Sequence, residues 1–94
     1  MPSKENHPGV VLHERLVALG VSPTEFARGV GVPANRISQI IKGLRSITGD
    51  SSLRFGKWFG EEEGYWLGLQ MRYDLWVARS RLGKDLGKIS RYKG

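Results

Sequence analysis

A chain of 94 residues, 39% of them hydrophobic, can bury one modest core but cannot house a core plus a separate catalytic domain. Its 15 Lys and Arg against 9 Asp and Glu give a formal charge of +6 and a sequence pI near 10.1, which favours a polyanionic partner. Without cysteine there is no disulfide, thiolate metal site or cysteine nucleophile; with neither a signal peptide nor an apolar run of roughly 20 residues, a cytoplasmic protein with no membrane partner is expected.

Pro8 and Gly9 open a first helix that should run to Leu19, with Leu12, Leu16 and Leu19 at helical spacing and Gly20 as its stop. A second starts sharply at Ser22, which can cap, with Pro23 at the first helical position and Glu25 completing a capping box. Phe26, Ala27 and Val30 then face inward, and Gly31 ends it. Pro33 starts a third helix, in which Ile37, Ile40, Ile41 and Leu44 call for burial and Gly43 marks the end. Thr48 caps a fourth through Leu53, Phe55 and Phe59 to Gly60, and the fifth and longest spans about Glu63 to Arg81. No segment alternates with the period of two that a strand requires, so the fold is expected to be all-α. Residues 1–7 then form an N-terminal arm, 8–81 the folded domain, and 82–94 a basic tail in which Leu82, Leu86 and Ile89 are the side chains able to dock a last turn. Gly29, Gly56 and Gly68 fall inside helices, where close packing would explain them.

The second and third helices fit the helix-turn-helix pattern. Counting from Pro23, the small residue needed at the helix crossing is Ala27, the turn residue able to take a positive φ is Gly31, and Val32, Ile37 and Ile40 anchor the third helix. A larger side chain at 27 would push the helices apart, and a β-carbon at 31 would clash in a left-handed turn.

Charge is uneven. Residues 79–94 hold six basic groups against Asp85, and residues 22–46 hold Arg28, Arg36, Lys42 and Arg45 against Glu25. A recognition helix shows its N-terminal outward residues to base edges, which here are Ala34, Asn35, Ser38 and Gln39. Asn and Gln can pair bidentately with adenine, and a small Ala leaves room for a thymine methyl group. Thr24, Arg36, Lys42 and Arg45 stand at the edges, where phosphates would lie.

His7-Pro8-Gly9, the run Arg36-Ile37-Ser38-Gln39-Ile40, the segment Gly43 to Thr48, Trp66-Leu67, Leu69-Gln70 and Arg72-Tyr73-Asp74-Leu75 together resemble the plasmid-addiction antitoxins of the HigA/VapI type, in the Cro and lambda-repressor-like superfamily. The resemblance covers about residues 7–81. It implies a compact five-helix, lambda-repressor-like DNA-binding domain that dimerises, represses its own toxin-antitoxin operon at double-stranded operator DNA, and neutralises a cognate toxin, often an mRNA-cleaving ribonuclease. A stand-alone phage- or plasmid-type regulator, or a toxin-capping module with weak DNA binding, remains open beside it.

The fifth helix carries more apolar surface than one stripe against a four-helix core can use. A twofold contact through it would also place two recognition helices about one turn of DNA, roughly 34 Å, apart. Met71 and Trp76 are the expected homodimer contacts, with Trp66 and Tyr73 in the core. Catalysis, cofactor and metal binding are not expected. His7 and His13 lack a metalloprotease spacing, and His7 reads as a cap or turn residue. Gly43 to Ser51 imitates a phosphate loop with Asp50 where the lysine should be, and no partner is evident for Glu61, Glu62 or Glu63.

Overall fold

Three helices begin at side-chain caps that the sequence supplies. The structure, a computed structural model, describes residues 6–93. Helix α1 (Pro8–Leu19) is capped by His7, whose Nδ1 accepts the Gly9 amide proton at 2.9 Å. Helix α2 (Pro23–Val30) is capped by Ser22, whose Oγ accepts from the Glu25 amide at 3.0 Å, and α4 (Gly49–Phe59) by Thr48. Each satisfies an amide that the first helical turn leaves without a partner. Helix α3 (Ala34–Ile41) follows Pro33 with no side-chain cap, and α5 (Tyr65–Leu82) begins after Gly64. A four-residue helix α6 (Lys84–Gly87) follows, so the described residues hold six helices where five were expected.

The core is one cluster: Leu12 and Leu16 from α1, Phe26, Ala27 and Val30 from α2, Ile37 and Ile40 from α3, then Ile47, Phe55 and Trp66. Burying each large member contributes about 1.5–3 kcal/mol. Its aromatic half joins three elements, with Phe26 edge-on to Phe55 at 5.0 Å and Phe55 edge-on to Trp66 at 5.5 Å. Arg15 closes the rim, its guanidinium over the rings of Phe59, Tyr65 and Trp66 and its Nη1 2.7 Å from Glu61. Glu61 thus has the partner that the sequence did not reveal, and it accepts from Trp66 Nε1 as well.

Gly9 explains why α1 opens as it does. The backbone of α1 crosses the end of α3 so closely that a β-carbon at position 9 would overlap the Ile40 carbonyl. Close packing is also found at Gly29, against Trp58, and at Gly56, against the Glu61–Glu63 backbone, but Gly68 has open space and no such reason. Leu44 and Leu53 are exposed, not buried: Leu44 lies in the turn that Gly43 starts, beyond the face that buries Ile37 and Ile40. Tyr73 is half-buried, because α5 runs past the end of the core. The last turn does not dock either; Leu82, Leu86 and Ile89 remain exposed, since no other helix extends that far. No helix of the described residues is long and apolar enough to cross a membrane.

Two consequences can be measured. Gly9→Ala should destabilise the domain by about 2–3 kcal/mol, as overpacking against fixed backbone does, read as a lowered denaturation midpoint with unchanged slope. Burial holds the His7 pKa below its ordinary 6.5 against the opposing Asp74 carboxylate, and protonating Nδ1 would remove the cap acceptor. The neutral ring therefore contributes stability that is complete above pH 6.5 and declines as pH falls from there through the lowered folded-state value. Replacing His7 by Ala should lower stability by about 1 kcal/mol at neutral pH and reduce its fall as pH drops below 6.5.

Candidate nucleic-acid interface

Helices α2 and α3 cross over Ala27, 1% exposed, where a larger side chain would separate them. Gly31 takes φ 74°, the left-handed conformation that the turn needs, and the Val32 amide donates back to the Ala27 carbonyl at 3.0 Å. Arg54 of α4 finishes the turn: its Nη1 donates to the Val30 carbonyl at 2.8 Å and to that of Gly31 at 3.3 Å. Ile37 and Ile40 are fully buried on one side of α3, which fixes the opposite side outward.

That outward side carries the four residues expected to read bases. Ala34 and Asn35 are exposed; Ser38 and Gln39 are half-buried, one turn further along the same edge. Gln39 is already oriented, because its Oε1 accepts from Arg45 Nε at 3.0 Å. Thr24, second residue of α2, is exposed at that helix's N-terminus, where its amide is the one left free by Pro23 and the Ser22 cap and suits an anion. Lys42 and Arg45 are exposed just past α3. Neither these nor Arg28 has an acidic partner among the described residues, so this face is positive.

Arg36 is placed differently from the other three residues expected at phosphates. Its Nη2 donates to Asp50 Oδ1 at 2.7 Å and to Ser51 Oγ at 2.6 Å, which ties α3 to the start of α4. Asp50 also accepts from Arg54 Nε at 2.8 Å, and the hydrogen bonds from Arg36 and then Arg54 hold its carboxyl below the usual range. The side chain that spoils the imitation of a phosphate loop is thus the joint of a two-arginine clasp. The Asp50-to-Arg54 spacing of four residues was legible as a helical pair; the reach of Arg54 to the turn carbonyls was not, because it depends on how α4 lies against α2.

On α5 the outward ridge is Leu67, Met71 and Leu75, four residues apart and 42%, 57% and 48% exposed. Trp76 is half-buried beside Tyr73, their ring centroids 6.2 Å apart. Five residues separate Met71 from Trp76, about 140° around the helix, so these two do not share a face.

A helix-turn-helix family model matches residues 12–57. The chain is 38% identical over 73 residues to virulence-associated protein I of Dichelobacter nodosus, an alignment covering 77% of this chain and 68% of that protein. Among solved structures it is similar to an addiction module antidote protein of the HigA family from Coxiella burnetii, with TM-score 0.92 and 38% identity over 96% of this chain and 100% of the other. It is also similar to Pseudomonas aeruginosa antitoxin HigA solved with the higBA promoter, with TM-score 0.86 and 30% identity over 96% and 99% of the two chains. The turn at Gly31, the outward polar edge of α3 and these likenesses agree, and the chain belongs to the HigA family of helix-turn-helix addiction-module antitoxins.

Proposed function

We propose that this chain acts as a dimer, binds a palindromic operator of its own operon to repress it, and neutralises a cognate mRNA-cleaving toxin. The observation that carries the DNA reading is the polar edge Ala34, Asn35, Ser38 and Gln39, held outward on an α3 whose other side buries Ile37 and Ile40, beside cations with no acidic partner among the described residues, in a fold similar to that of an antitoxin solved with promoter DNA. In this reading Asn35 and Gln39 pair with base edges, Ser38 accepts or donates, and Ala34 admits a thymine methyl group. Thr24, Lys42 and Arg45 neutralise or hydrogen-bond phosphates, while Arg36 holds the helix that carries the readers.

The ridge Leu67, Met71 and Leu75 supports a twofold contact through α5, since an apolar row along one helix face loses unfavourable hydration when a second copy covers it. Trp76 would join from the flank. Toxin neutralisation rests on family membership alone.

Three sets of variants test the reading on DNA that the parent selects from random sequence. Asn35→Ala and Gln39→Ala should each lose about 1–3 kcal/mol on the selected site with little change on random duplex. Equal loss on both would remove base reading from the account. Lys42→Ala should weaken all DNA alike and flatten the salt dependence by about one unit of slope. Arg45→Ala should do this and also cost selectivity, because it releases Gln39. For assembly, Met71→Glu should shift the mass in light scattering from dimer to monomer, with Trp76→Glu as the companion variant. A parent that is itself monomeric at operator-binding concentrations would defeat the dimer.

A further inference from the structure

Gln70 is 4% exposed on the inward face of α5, a place where an amide is tolerated only when its polar atoms are partnered. Both ends are. Its Oε1 accepts the Ile47 amide proton at 2.8 Å, and its Nε2 donates to Asp74 Oδ1 at 2.9 Å. Ile47 belongs to the segment 42–48 that leaves α3, the same segment whose Arg45 orients Gln39. Asp74, one turn along α5, acts in turn on the ring of His7, which caps α1 and packs edge-on to Tyr73 at 5.1 Å. One buried amide thus joins the exit of the recognition helix to α5, and through Asp74 it faces the start of α1.

Leu67, Met71 and Leu75 lie on a different side of the same helix. A single rigid element therefore grips the recognition segment with one face and offers an apolar ridge with another. We infer that Gln70 is a positioning residue for operator recognition: its two hydrogen bonds fix the height and tilt of the reading edge relative to α5, and thereby the half-site spacing that a dimer accepts. This rests on the reading of α3 as the base reader and α5 as the dimer helix. A leucine at 70 would fill similar volume but leave the Ile47 amide and the Asp74 carboxylate without their partner, so the fold keeps its apolar packing while the exit segment loses its fixed position.

The test compares the parent with Gln70→Leu and Gln70→Glu on three duplexes: the palindrome that the parent selects from random DNA, the same palindrome with one base pair added or removed at its centre, and random sequence. Gln70→Leu should remain a dimer, bind random duplex within about twofold of the parent, and lose about tenfold on the selected palindrome while the gap to the respaced duplexes closes. Amide exchange at Ile47 should accelerate in the same variant. Gln70→Glu keeps an acceptor for Ile47 but sets a carboxylate against that of Asp74 in place of an N–H donor, so it should retain only part of the spacing preference; it serves as the second variant if the leucine variant does not fold. An equal loss on the selected and respaced palindromes would reduce Gln70 to a contributor to stability and overturn the inference, as would an unchanged spacing preference in both folded variants. A parent that selects no palindrome would fail the dimeric-operator reading itself, and that outcome is separate from a parent with a sharp preference that the variants share.

Discussion

A helix of eight residues has little stability of its own in water, so the position of α3 has to be imposed from outside. It is imposed from several directions. Ile37 and Ile40 are driven into the core beneath it; α1 lies against its last turn so tightly that Gly9 must lack a side chain; and Arg36 is clasped by Asp50 and Ser51 of α4. The turn leading into it is held by Arg54, and the segment leaving it by Gln70. What remains free on α3 is one polar edge, Ala34, Asn35, Ser38 and Gln39.

The basic residues divide into two populations with different work. Arg15, Arg36 and Arg54 turn inward or sideways onto Glu61, Asp50 and backbone carbonyls, where planar guanidinium groups can serve two or three acceptors at once. Arg28, Lys42 and Arg45 keep their charge facing out. Net charge alone makes no such distinction: it counts Arg36 as part of a positive surface, although in the structure that charge meets Asp50 at the start of α4.

Helix α5 also has two tasks. One face of its first turns closes the core through Trp66 and Gln70, another face leaves Leu67, Met71 and Leu75 exposed, and its last turn outruns the globule with Leu82 exposed. Residues 84–93 are all exposed, with Lys88 beside Asp85 at 3.4 Å as the one ion pair there among the described residues. Such surface-exposed pairs contribute little to order. The basic tail is therefore held by its covalent attachment to α5 and not by packing.

The linear pattern was enough to place the first four helices and most of α5, though not α6, because caps, prolines and left-handed glycines act within a few residues of where they stand: Ser22, Pro23, Gly31 and Thr48 mark boundaries by local chemistry alone. The outward polar edge of α3 followed as well, since the spacing of Ile37 and Ile40 settles which side is buried. Long-range partners were not legible. That Arg36 meets Asp50, that Glu61 meets Arg15 across 46 residues and that Gln70 holds the Ile47 amide all depend on how finished helices cross, and crossing geometry is set by side chains from several segments at once.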